Sequence, residues 1–279
     1  MNKNSTKYQV ESSPAIKAST ASYDEHYILT TNGVLNIYGN CSKEEIEKAI
    51  REKSKWGINL IQFATKFSVN SELLDILNEL LLTEFPNCSL REVFNGHGSF
   101  DNLEHLAHLD KLTDLRIELF GELDLSPINQ YCSLKSLAIG GDKSRISEII
   151  QHNSIENLFV FDKIKDVQLI GEMKNLKKLT ISKMTLKNLD FLTELTNLKE
   201  LNFMLGGTKN LEALPKIGKI EKLSFTWVRQ LTIEHLEVIN KMKFLKEISF
   251  DRQAHLTDMS WFTKPNIKVD ITNCKNYRE

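Results

Sequence analysis

This sequence of 279 residues has no long apolar run, few cysteines, no excess of either charge and none of the common catalytic signatures. A membrane-crossing helix needs about 20 apolar residues in succession, and no stretch approaches that. The opening residues, MNKNSTKYQVESSPAIKASTASYDEHY, hold no apolar core of the kind a signal peptide uses. Classical export is not expected, and a cytoplasmic location is. The four cysteines agree with this. Cys88 and Cys132 each open a CSL triplet, two units of the internal repeat apart, which at the spacing of paired strands is about 10 Å, too far for a disulfide. Cys41 and Cys274 stand near opposite ends, so the spacing suggests no disulfide framework.

Lysine and arginine number 36 against 37 acids, a net charge of −1. A nucleic-acid binder would ordinarily carry a basic excess, so no nucleic-acid partner is expected. There is no phosphate loop, no HExxH, no CxxC pair and no glycine-rich dinucleotide turn, and no enzyme activity, cofactor or small-molecule substrate is expected. His105 and His108 in LEHLAHLDKL are three apart beside Glu104 and Asp110, a spacing that could hold a metal on a helix. They fall on the x positions of LxxLxxL, which reads them as solvated outer-face residues and the chain as having no metal site.

What the sequence does contain is a repeat. Between Asn175 and Phe203 the pattern LxxLxI at Leu176, Leu179 and Ile181 returns 22 residues later at Leu198, Leu201 and Phe203. Between the two copies Leu186, Leu189, Leu192 and Leu195 recur every three residues. A period of two predicts a short strand, and a period of three predicts a 3₁₀-like or extended return. Taking the fourth residue of the pattern as marker, strands are predicted at Leu35, Ile61, Val93, Leu115, Leu137, Leu158, Leu179, Leu201, Leu223, Ile248 and Val269, about eleven rungs. Such a rung cannot bury its leucines alone; stacking supplies the core and the terminal units act as caps. The capping work is assigned to the segment from Tyr27 to Tyr38 and to the tail after Trp261.

Before about residue 95 the units are longer and leave room for true helices. HYILTTNGVLNIYG predicts two short strands around the Asn32-Gly33 turn. Ser42 followed by Glu45 predicts a capping box and a helix running to near Gly57. A second helix, SELLDILNELLLTEF, stops at Pro86. Residues 1–25, rich in Ser, Thr, Lys and Asn without periodicity, are expected to be a flexible tail, with a polar secretion signal as the alternative; residues 26–279 are expected to form one repeat domain.

From Leu103 to Phe250 the repeats resemble the short leucine-rich repeats of internalins and phosphatase-regulator proteins. The resemblance implies an α/β leucine-rich repeat solenoid: a curved parallel sheet on the concave face, short helices and 3₁₀ turns on the convex face, and a protein-binding role. One departure stands out. The asparagine usual at the ninth position is replaced by Phe120, Asp142, Lys163, Met184 and Gly206, which predicts a divergent, less regular solenoid.

Alternation along each strand sends the leucines inward and the third, fifth and seventh positions onto the concave sheet. Most of those positions are small or polar, but Phe94, Phe159, Phe161 and Met204 are large and apolar, as an interface buried on binding would be. LFVF at Phe159 is apolar in both phases, and a slip of one residue would turn these side chains into core. Arg116 and Glu118 flank the patch, and Trp227 stands on the loop edge as anchor or packed cap; these seven residues form the candidate partner site. Charge is also uneven, with a net of −5 over residues 101–124 and +5 over residues 163–222. This polarity would orient a dipolar partner, or merely keep the surface soluble. The expected function is recognition of a protein, as an inhibitor or immunity protein that neutralises a toxin. A secreted effector aimed at a host protein, or a scaffold for a phosphatase or GTPase, are the alternatives.

Overall fold

The computed structural model describes residues 26–64, 67–94 and 100–277. Among them, twelve strands form a single sheet in sequence order. β1 (Tyr27–Leu29) pairs antiparallel with β2 (Val34–Ile37). The hairpin turns where Gly33 sits at φ +84°, left-handed backbone that glycine adopts without penalty. β3 (Leu60–Phe63), β4 (Ser89–Phe94), β5 (Asp114–Leu119), β6 (Ser136–Gly140), β7 (Asn157–Phe161), β8 (Lys178–Ser182), β9 (Glu200–Met204), β10 (Lys222–Thr226), β11 (Glu247–Asp251) and β12 (Lys268–Thr272) then add in parallel. The chain is a leucine-rich repeat solenoid.

The returns follow from the spacing. Leu189, Leu192 and Leu195 are fully buried and lie on and beside the 3₁₀ turn Asp190–Glu194, where a three-residue period puts them on one side. Similar turns recur on the convex side, for example Val167–Glu172 and Glu237–Lys241. In the longer early units both expected helices form, the first ending at Arg51 and so short of Gly57. Ser42 and Glu45 close the capping box of α1 (Lys43–Arg51). α2 (Ser71–Ile76) runs through a π-helical stretch, Leu77–Leu81, into α3 (Leu82–Glu84). The π stretch contains the buried Asn78, whose amide donates to Asp110 Oδ1 at 2.6 Å and accepts from the Lys111 backbone at 3.0 Å, tying the helix to the next unit.

Strand register confirms ten of the eleven markers and corrects one. Ile61 pairs with Leu90, and Leu90 with Leu115, so the marker of β4 is Leu90 and not Val93. Glu92 therefore occupies an inward position. It is tolerated there because His105 Nε2 meets its Oε1 at 2.5 Å, with both side chains buried. Phe100 stacks on the His105 ring at 3.6 Å between centroids and meets Phe63 edge-on at 5.2 Å. His105 is thus a core residue, contrary to its reading as a solvated one.

Toward the C-terminal end the core is a stack of aromatic rings. Phe203, Phe225 and Phe250 lie nearly parallel at 5.5 and 5.7 Å, and Trp261 closes on Phe250 edge-on at 6.3 Å. In place of an asparagine ladder, successive turns adopt positive φ at the eighth position: Asp162, Lys183, Leu205, Trp227, Arg252 and Asn273. At the ninth position of one turn Gln253 does the asparagine's work, its buried amide donating to the carbonyls of Phe225 and Asp251 at 3.1 Å. Among the described residues the segment after Trp261 lies over β11, whose Ile248 and Phe250 are 0% exposed, while Val269, the marker of β12, is 39% exposed. The expected N-terminal tail lies outside the described residues.

Candidate protein-binding face

Most of the concave sheet binds itself. At the fifth positions Gln62 donates to Asn36, Arg91 to Gln62 at 3.4 Å, and Arg91 Nε and Nη2 to Glu118 Oε1 at 2.9 and 2.6 Å. On the other side of the sheet Asn202 donates to Thr180 at 3.2 Å and Ser224 to Asn202 at 2.6 Å. At the third positions Lys178, Glu200, Lys222, Glu247 and Lys268 alternate in sign, with contacts of 2.8 Å between Lys178 and Glu200 and 2.8 Å between Glu247 and Lys268. Burial works against the Glu200 carboxylate, yet hydrogen bonds from Lys178 and Asn202 hold it below the usual range. Within the lysine-rich segment Lys177 pairs with Glu156, Lys174 with Glu194 and Lys183 with Asp162.

Between these two networks the pattern breaks. β6 offers Ser136, Ala138 and Gly140 to the concave face, and β7 offers Asn157, which donates to Ser136 at 2.9 Å, with Phe159 and Phe161. Leu158 and Val160 are the inward pair, 1% and 0% exposed, which settles the alternation of β7. The two phenylalanines are half-buried, with ring centroids 5.6 Å apart. The Phe161 ring rests on the bare backbone of β6: a Cβ added to Gly140 would fall 2.2 Å from its Cδ2. Arg116, bonded to Asp114 at 3.4 Å and Ser89 at 3.0 Å, stands across the gap. Together they enclose an open hollow of about 730 Å³ with a mixed charged and aromatic wall.

Of the seven residues singled out in the sequence, Arg116, Glu118, Phe159 and Phe161 converge on this hollow. Met204 lies on the same face two strands on, and Trp227 on the turn after β10, 52% exposed with the Arg252 guanidinium 6.0 Å from its ring. Phe94 does not belong to the face. It pairs with Leu119 and is buried, because the marker of β4 is Leu90; Arg91 takes the concave position instead. Arg91 and the small floor residue Ala138 were missed. The first was hidden by the misplaced marker, the second by its size.

Gly140→Ala is expected to destabilise the fold by about 1–3 kcal/mol through overpacking against Phe161. In a Phe161→Ala background the same change should cost little. Urea melts of the four chains of this cycle check it; equal costs in both backgrounds would mean the ring does not sit on β6.

Cys41 and Cys88 are buried and poorly placed for chemistry. Burial, then the neighbouring Asp114, pushes the Cys88 thiol up to about 12, and burial followed by Glu45 does the same for Cys41. Cys88 and Cys132 are not equivalent despite the shared CSL triplet, since Leu90 is a fourth-position and Leu134 a first-position leucine; Cys132 is exposed. At pH 8, iodoacetamide is therefore expected to label Cys132 in the native chain and to reach Cys41 and Cys88 only after denaturation, as peptide mass mapping would show. His108 Nδ1 bonds Asp75 Oδ1 at 2.8 Å while His105 faces Glu92, so the two histidines do not converge on a metal. Among the described residues no group of three or more metal-ligating side chains is assembled, and no helix is long and apolar enough to cross a membrane.

No protein-family model matches the sequence, and the curated proteins give no significant match. Among solved structures, internalin C2 from Listeria monocytogenes is 19% identical over 73% of this chain and 84% of that one, with a TM-score of 0.43. The functional domain of InlJ from the same organism, which includes a cysteine ladder, is 15% identical over 89% of this chain and 55% of that one, at 0.41. A TLR13–ssRNA13 complex is 19% identical over 81% of this chain and 32% of that one, at 0.50. At these identities the likeness is one of fold: the leucine-rich repeat solenoid that the strand register defines.

Proposed function

We propose that this chain recognises a protein partner through the concave face between β4 and β9. The observation that carries the reading is the half-buried pair Phe159 and Phe161 beside Arg116, an apolar island between two hydrogen-bonded networks of the sheet. Apolar rings left half-exposed between hydrogen-bonded ladders gain from being covered, and a protein surface covers them best. The form of recognition we favour is occlusion, by an inhibitor or immunity protein seated over a toxin, because occlusion asks only for complementary shape and charge. The cytoplasm is its proposed setting, with four free thiols in support.

Affinity capture from the native cells, run in parallel with wild type and a Phe159→Ser/Phe161→Ser variant, tests both levels. A stoichiometric partner held by the wild type and lost by the variant is the expected result. That partner should arrest growth when expressed alone and cease to do so when this chain is co-expressed. Equal retention by the variant would remove the concave site from the proposal, and a harmless partner would remove the toxin.

A further inference from the structure

We propose that two copies of this chain pair edge to edge through β12, antiparallel, about a two-fold axis that passes Val269. Among the described residues β12 is the terminal strand of the sheet. The markers of the ten parallel strands before it are 2% exposed or less, whereas Val269 is 39% exposed and Ile271, the next inward residue, is half-exposed. The last rung therefore presents the end of the hydrophobic core to solvent, with no layer over it among the described residues.

The free backbone groups fix which residues meet. The Lys268 N–H donates to Lys246 and the Thr272 carbonyl accepts from Arg252, so the even-numbered residues of β12 turn their backbone toward β11. The N–H and C=O of Val269 and Ile271 consequently point to the open edge. An antiparallel copy with Val269 opposite its counterpart joins outward-pointing groups to outward-pointing groups. Side chains then match as well. Around Val269 the sequence reads Ile267-Lys268-Val269-Asp270-Ile271, apolar at alternate positions and opposite in charge on either side of the centre. In this register Lys268 faces Asp270 of the other copy on the concave side, and Ile267 faces Ile271 on the core side. Moving the centre to Asp270 sets two aspartates against each other, and moving it to Lys268 sets two lysines against each other, both unfavourable for directly opposed residues. A two-fold axis leaves no further edge at this end, which closes the assembly at a dimer. It also lays the two concave faces side by side.

Sedimentation equilibrium of the full chain over a range of concentrations provides the test. Wild type is expected to be a dimer. Lys268→Asp alone and Asp270→Lys alone should each be monomeric, their dimer dissociation constants raised at least tenfold, with melting transitions that show the fold intact. Mixing the two variants restores opposite charges across both contacts, and the mixture should dimerise. A wild type that stays monomeric throughout, a mixture that fails to associate, or polymers that grow with concentration through pairing of β12 with β1 would each overturn the proposal.

Discussion

Replacing His105 by leucine is expected to lower the unfolding free energy by about 3–5 kcal/mol, the range found when one partner of a buried polar pair is removed. His105 Nδ1 lies 3.1 Å from the Asn102 carbonyl, which can only accept, so that nitrogen carries a proton. Nε2 meets Glu92 Oε1 at 2.5 Å. Leucine removes that polar partner and the ring stacked on Phe100. Glu92 remains in the core with both oxygens unpaired, since its Oε2 already has no hydrogen-bond partner. The double variant Glu92→Leu/His105→Leu should regain most of the loss, because it restores an ordinary repeat core. Urea denaturation of the single and double variants measures the coupling. A loss below about 1 kcal/mol for His105→Leu would mean that the pair is solvated and β4 is misread.

The same pair explains where reading the sequence failed. A carboxylate at an inward strand position contradicts the hydrophobic pattern, so the phase that puts Val93 inward looks better than the one that puts Glu92 inward. What reverses the choice is a histidine thirteen residues on, in the next return, and no local pattern announces it. The error displaced Phe94 onto the concave face and hid Arg91. The eleven-rung count survived because the period of the repeat, not any one strand, sets it.

β7 shows the opposite situation. LFVF is apolar in both phases, and its own sequence cannot choose between them. Its neighbours can. Leu137 pairs with Leu158 and Leu158 with Leu179, and β6 and β8 each alternate without ambiguity, so a slipped β7 would bring its phenylalanines against leucines on the core side and break both ladders. Charge is read differently along the chain and across it. Counting along the chain groups residues by sequence, whereas the solenoid sets several lysines beside an acid about one repeat away, as in Lys178 with Glu200 and Lys246 with Glu221. The exposed edge at β12 was invisible because IKVDI alternates as most of the buried strands before it do, and only the stacking order shows it last in the sheet among the described residues.

Truncating Phe159 and Phe161 together to serine is expected to cost about 2–4 kcal/mol in binding, roughly 30- to 1,000-fold in affinity, with the melting transition changed little. The two rings are half-exposed and stand on a layer that is complete beneath them, since Leu158 and Val160 are buried by the stacked leucines above and below. Their removal exposes the flat backbone of β6 at Gly140 rather than opening a cavity in the core. The two properties should therefore separate, which they would not for a core residue. Phe225→Ala, in the buried ring stack, supplies the contrast: about 3–5 kcal/mol of stability lost, and binding lost only as the fraction of folded chain falls. Calorimetric titration against the captured partner, together with urea melts of the three chains, distinguishes the cases. If the double serine variant melts as early as Phe225→Ala, the phenylalanines of β7 hold the sheet together, and the partner must be sought on another face.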